Sequence, residues 1–334
     1  MLPPIKQDVD YLYENTNWMI RPHFDPIEAR KSLMHSLKQQ SEDCCTRAGN
    51  SADYAIPYDQ SDEDPSHGME AFDWFPPEKS STDGVIKVVV YIHGGFWRAI
   101  TLAECSHWAT SVTSAGGVFV ALSYRLAPWQ SISMMPQQLC KAMQKIYEHT
   151  VRRMSSEGNQ TPRLALSLVG HSAGAHLSVE LIAAAGDAKE NQCWLQSLDS
   201  LVLISGLYDL RPIIYTSVNQ ALKLQSEEEA WAVSPCRFFS QGSSNTSPYW
   251  DSVRWLVGWT EHDSPAFKEQ SEKMVSALTA YFQRRTDTGK RNRGPVETFC
   301  CPNEDHFTSV QNLYYGKERS ALLGKILEFV GLSD

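Results

Sequence analysis

Ser172, Asp263 and His306 occur in an order and in local settings that suit nucleophilic catalysis. A serine hydroxyl is a weak nucleophile at neutral pH, so it needs a base within hydrogen-bond reach and an acid that holds the base in the right tautomer. Ser172 is the centre of Gly170-His171-Ser172-Ala173-Gly174. Asp263 follows the apolar run VRWLVGW in the context TEHDSPAF, and His306 follows VETFC in NEDHFTSV. Asp209, after LVLISGLYDL, is a rival acid; the later strand is nearer the position the acid takes after a serine of this kind. Asp305 reads as a helix N-cap or a solvated neighbour of the base. His171 and His176, five apart and so on different helix faces, read as structural, and no HExxH zinc pair is present.

The acyl chemistry of such a serine also needs N–H groups aimed at a developing oxyanion. The stretch VVVYIHGGFWRAI supplies a strand ending in His93-Gly94-Gly95, where glycines let the main chain approach a substrate oxygen. The N–H groups of Gly94, Gly95 and Ala173 are the candidate donors.

The elements that must hold these residues follow from the apolar pattern. Leu164 to Val169 reads as a buried strand, and Ala173 to Ala185, with apolar positions three and four apart, reads as a helix. A strand that turns straight into a helix makes a sharp elbow; its tip is strained, and only glycine fits on either side. Upstream, a helical N-terminal region runs to about residue 50. An edge hairpin, Ala52 to Tyr58 and Met69 to Phe75, encloses an acidic loop at Asp59 to Pro65. Strands and helices then alternate: strand Val85 to Ile92, helix Leu102 to Ser114, strand Val118 to Ser123, helix Met135 to Met154. Further strands are expected at Leu201 to Ile204, Val253 to Trp259 and Val296 to Phe299. This alternation predicts an α/β fold, a mostly parallel twisted sheet of about eight strands with helices on both faces. Residues 1–334 read as one domain, with 208–239 a helical insertion near the sheet's carboxyl edge.

Composition narrows the function classes. The 334 residues carry 30 Lys and Arg against 39 Asp and Glu, a formal charge of −9, which argues against nucleic acid or an anionic membrane as partner. The basic cluster Arg284 to Arg293 also holds turn residues and reads as a solvated loop. No segment approaches 18 uninterrupted apolar residues, and the N-terminus does not resemble a signal peptide. Eight scattered cysteines lack zinc or disulfide spacing and read as reduced thiols; no cofactor or metal is called for. The Asn-x-Ser/Thr matches at Asn159 and Asn245 are what chance provides.

Taken together, HGGFW, GHSAGAHL, ISGLYDLRPIIYTSVNQALKL, HDSPAF and DHF resemble the corresponding segments of the α/β-hydrolase superfamily, and within it those of the kynurenine formamidase (arylformamidase) family. The long segment Ile204 to Leu224 is the most specific, because general esterases share the elbow but not this stretch. The resemblance implies a cytosolic enzyme, with the nucleus as a further location. It would hydrolyse N-formyl-L-kynurenine to L-kynurenine and formate through a formyl-serine intermediate, with Ser172, Asp263 and His306 as triad. A small-molecule aryl formamide is then the partner, and a homodimer is left open. Phe96, Trp97, Tyr124 and Tyr208 are candidates for the wall of an aromatic cleft. Two other readings stay open: a carboxylesterase of the hormone-sensitive-lipase type, and a non-catalytic binding protein on a hydrolase scaffold.

Overall fold

A computed structural model describes residues 2–20, 25–59, 64, 67–79, 81, 83–155, 161–186, 188–241, 247–287, 295–314 and 320–332. Most of the acidic loop after Asp59, the basic run beyond Asp287, Asn159 and Asn245 lie outside the described residues. Eight strands form one sheet: β1 (Asp53–Pro57), β2 (Ala71–Phe75), β3 (Val85–Ile92), β4 (Val118–Leu122), β5 (Arg163–His171), β6 (Leu198–Ile204), β7 (Arg254–Thr260) and β8 (Glu297–Cys301). Their spatial order is β1-β2-β4-β3-β5-β6-β7-β8. The hairpin β1-β2 and its junction with β4 are antiparallel, and every later pairing is parallel.

The central strands are apolar almost without interruption because both of their faces are covered. On β3, Val88, Val90 and Ile92 enter the core on one face, while Val89 and Tyr91 enter the core on the other. The first core is the larger and takes the helices α4 (Met135–Met154) and α5 (Ala173–Ala185); the second is closed by α3 (Ala109–Ser114) and the C-terminal helix Ala321–Phe329. All eight cysteines are free thiols. Among the described residues no helix is long and apolar enough to cross a membrane.

The helix expected over Leu102 to Ser114 is broken. Thr101 and Glu104 form a capping box around the single turn Leu102–Glu104, and His107 Nδ1 engages the Glu104 carbonyl at 3.0 Å. The ring thus takes an acceptor that a continuing helix would use, and α3 starts afresh at Ala109. Residues 208–239 are helical in short pieces, Arg211–Tyr215, Asn219–Leu222, Glu227–Ala232 and Cys236–Phe239.

The N-terminal helices α1 (Gln7–Tyr13) and α2 (Pro26–Ala48) lie over the carboxyl ends of the strands. On α2, Ala29, Leu33, Leu37, Ser41 and Cys44 are buried, a stripe at spacings of four and three. Polar ties fasten this layer: Lys6 N–H to the Tyr215 carbonyl (2.8 Å), Ser217 N–H to Asp10 Oδ1 (2.7 Å) and Gln40 Nε2 to the Gln311 carbonyl (3.2 Å).

Candidate active site

β5 ends at His171, α5 begins at Ala173, and Ser172 between them has φ 55° and ψ −119°. For a residue with a Cβ this is a strained conformation, of the kind that persists where the surroundings over-determine it. The flanking glycines are required by contact. A Cβ on Gly170 would lie 2.5 Å from the Gly174 carbonyl oxygen, and one on Gly174 only 1.9 Å from that of Ile92. The elbow is therefore packed directly on the end of β3.

The loop after β3 meets the elbow from the other side. A Cβ on Gly94 would lie 3.0 Å from Ser172 Cβ, so the main chain at Gly94 passes as close to the serine as a backbone can. Gly95, Phe96, Trp97 and Ile100 all have positive φ, which winds the loop tightly. Trp97 anchors it: the indole Nε1–H donates to His176 Nδ1 at 3.1 Å, and His176 Nε2 donates to the Val233 carbonyl at 2.8 Å. Those two bonds assign the neutral tautomer of His176, and burial lowers its pKa to about 3.

Asp263 and His306 come from loops after β7 and β8. His306 Nδ1 lies 2.8 Å from Asp263 Oδ1, and the other carboxylate oxygen accepts from Ser205 Oγ (2.5 Å) and Thr260 N–H (2.9 Å). Burial pushes the Asp263 carboxyl up, but the bond and charge of His306, with Ser205 and the Thr260 N–H, outweigh it and hold Asp263 below the usual carboxylate value. An ionised, fully hydrogen-bonded acid fixes the imidazole with Nδ1 protonated and Nε2 as the basic nitrogen. Ser172 and His306 line the same cavity, of about 340 Å³.

Asp209 has another task. Its carboxylate is bound by Arg211 through Nε (2.9 Å) and Nη2 (2.7 Å), with Lys273 Nζ 3.9 Å away, and not by an imidazole. Asp305 is an N-cap, accepting from the N–H groups of Phe307 (2.9 Å) and Thr308 (2.8 Å) through Oδ1; it is buried, not solvated. His171 is nearer the chemistry than its structural reading implies. Its ring centroid is 4.6 Å from that of His306 on the cavity wall, and burial first, then the His306 charge, keeps it neutral.

Of the four aromatic candidates for the substrate wall, only Phe96 lines the cavity. Trp97, Tyr124 and Tyr208 are fully buried in the core. Tyr124 stacks on His93 at 4.3 Å, and the Tyr208 hydroxyl lies against Gly206, where a Cβ would be 2.2 Å away. Aromatic character cannot distinguish a wall from a core, since both are apolar. The residues that sequence reasoning missed are those of the N-terminal layer: Asp10, Glu14, Asn15, Arg30 and Leu33, together with Arg98, complete the cavity. The stripe on α2 signals that this helix packs, though not on what. Among the described residues no group of three His, Cys, Asp or Glu is placed to hold a metal ion.

A strained serine at a strand-to-helix elbow, a glycine loop against it, and a carboxylate and imidazole from the loops after β7 and β8 sit on a mostly parallel eight-stranded sheet, and the architecture is the α/β-hydrolase fold. A family model for the alpha/beta hydrolase fold matches residues 89–254. Over nearly its whole length the chain is similar to curated kynurenine formamidases. It is 29% identical to that of Danio rerio, over 98% of this chain and 97% of the relative, and 28% identical to that of Salmo salar, over 93% and 92%. The enzyme of Drosophila melanogaster is 23% identical over 81% and 83%. Among solved structures, a candidate thioesterase from Silicibacter sp. tm1040 superposes with a TM-score of 0.69 at 22% identity, covering 98% of this chain and 100% of that one.

Proposed function

We propose that this protein is a serine hydrolase that cleaves N-formyl-L-kynurenine to L-kynurenine and formate. The observation that carries the mechanism is the 2.8 Å bond between His306 Nδ1 and Asp263 Oδ1, beside a cavity that Ser172 also lines. The similarity to kynurenine formamidases over nearly the whole chain carries the substrate. The protein is an arylformamidase, a hydrolase of linear amide bonds; the carboxylesterase and binding-protein readings are not favoured.

Ser172 Oγ attacks the formyl carbon as His306 Nε2 takes its proton, and the carbonyl π pair moves onto oxygen. The resulting oxyanion is met by the N–H groups of Gly94, Gly95 and Ala173. Collapse re-forms the carbonyl and breaks the C–N bond, while His306 returns its proton to the departing aryl amine. Water, deprotonated by the same nitrogen, then attacks the formyl-serine ester; collapse of this second tetrahedral adduct breaks the bond to Ser172 Oγ, which takes the proton back from His306 as formate leaves. Formyl is the smallest acyl group, which suits a serine crowded by Gly94. The excess of acidic residues supports a small-molecule substrate in place of a nucleic acid, and the single sheet supports one catalytic domain; we place the enzyme in the cytosol.

Steady-state kinetics on N-formyl-L-kynurenine and on p-nitrophenyl acetate tests the assignment. The expected result is a kcat/KM for the formamide above that for the ester, with both lost in Ser172→Ala. Ester turnover without formamide turnover would return the carboxylesterase reading.

A further inference from the structure

The cavity over Ser172 carries more charge than cleavage of a formyl group needs. Asp10, Glu14, Arg30 and Arg98 all line it, contributed by the N-terminal layer and by the loop after β3. Most of these groups are already engaged. Arg30 Nη2 bonds Glu14 Oε2 at 2.5 Å, and Asp10 Oδ1 accepts the Ser217 N–H at 2.7 Å.

Arg98 is different. Among the described residues no carboxylate lies within ion-pairing distance of its guanidinium, although the side chain shares the cavity with three acids, Asp10, Glu14 and Glu104. Partial burial and then the neighbouring Arg30 disfavour its charge, while Glu14 and Asp10 favour it. A planar cation facing a cavity with no anion in contact is suited to a carboxylate brought by a ligand.

Asn15 is the second unmatched group. It is only 4% exposed, it lines the same cavity, and its Oδ1 is buried without a hydrogen-bond partner. Buried polar atoms are nearly always satisfied, so an orphaned acceptor on a cavity wall marks a place for a donor. Negative charge from Asp10 and Glu14 nearby makes a cationic donor the better fit.

We infer that Arg98 and Asn15 form a subsite for the α-amino-acid head of the substrate, Arg98 binding its carboxylate and Asn15 Oδ1 accepting from its ammonium group. The inference rests on the formamidase reading of this cavity. It makes the loop after β3 and the N-terminal layer together the source of selectivity for amino-acid formamides over plain aryl formamides.

The test compares three substrates on the full-length enzyme: N-formyl-L-kynurenine, its decarboxylated analogue N-formylkynuramine, and formanilide, which lacks both charged groups. Arg98→Gln is expected to lower kcat/KM on N-formyl-L-kynurenine by about 10- to 100-fold, chiefly through KM, and by under about threefold on the decarboxylated analogue. Arg98→Lys keeps the charge and should recover part of the loss, which guards against a loop that merely misfolds. Asn15→Leu should weaken both amine-bearing substrates relative to formanilide. An Arg98→Gln variant that loses the same factor on all three substrates, or none on any, overturns the subsite. If the wild-type enzyme turns over no formamide at all, the formamidase reading fails first and takes the subsite with it. Wild-type turnover with no substrate-dependent effect of Arg98→Gln overturns the subsite alone.

Discussion

The Asp305 carboxylate, one residue before His306, accepts the backbone N–H of Ile20 at 3.0 Å through Oδ2. Its other oxygen caps the short helix Thr308–Gln311. One side chain thus fastens the N-terminal layer to the loop that presents the candidate base. The cavity's roof and its chemistry are positioned together.

Asp305→Ala removes both functions. Loss of a cap costs about 0.5–2 kcal/mol, and the orphaned Ile20 N–H adds to it. We expect a lower denaturation midpoint and a raised KM for the formamide. Unchanged values of both would show that the layer is held without this residue.

The strained elbow predicts a split between two substitutions at Ser172. Ser172→Ala and Ser172→Gly should each lose several orders of magnitude in kcat, since only the oxyanion donors and binding remain. Glycine, however, tolerates a φ of 55°, whereas alanine keeps the strain. Urea titration should find the glycine variant more stable than the alanine variant by about 1 kcal/mol. Equal midpoints would mean that the elbow is relaxed.

Asp263 and Asp209 are both buried carboxylates after strands, and the two make different bonds. Asp263→Asn should lower kcat by up to about four orders of magnitude with little change in KM, because the amide favours the wrong imidazole tautomer. Asp209→Asn breaks the contacts with Arg211 and should leave kcat within a fewfold of wild type. The opposite ranking, read from initial rates at saturating substrate, would move the acid to the earlier strand.

Stability should fall on mild acidification. Burial lowers His93 and His107 to about 4 and His176 to about 3, so all three are neutral in the folded protein. The unfolded chain, with its ordinary imidazole pKa of about 6.5, binds more protons below that pH. Their contribution is therefore complete above pH ~6.5 and is lost progressively as pH falls from there toward the folded values, at about 1.4 kcal/mol per pH unit for each such histidine. Urea midpoints measured from pH 7 to pH 5 should decline, and His107→Gln should make the decline shallower. A flat profile over that interval would contradict buried neutral histidines.

Much of this protein is determined by local pattern. The strands β3 and β5, the helices α4 and α5 and the elbow fall where the apolar periodicity puts them, because buried parallel strands and amphipathic helices have distinct periods. Gly170 and Gly174 are equally legible: an elbow this tight leaves no volume for a Cβ. Asp263 and Asp209 both follow strands, and the sequence favours Asp263 only by the position of its strand. Which loop brings a carboxylate to His306 Nδ1 is set by tertiary packing, and it is the loop that carries Asp263. The broken helix at Leu102 is decided by a side chain, His107, taking a backbone acceptor. What composition cannot express is which surfaces face one another. Trp97, Tyr124 and Tyr208 are as aromatic as Phe96, yet three lie in the core and one on the cavity. The N-terminal helices show an apolar stripe and no sign of what it covers; only the tertiary packing sets Asn15 and Arg98 over Ser172. Covalent order and periodicity act over a few residues, whereas the cavity is made by segments hundreds of residues apart, and their meeting is a property of the folded chain alone.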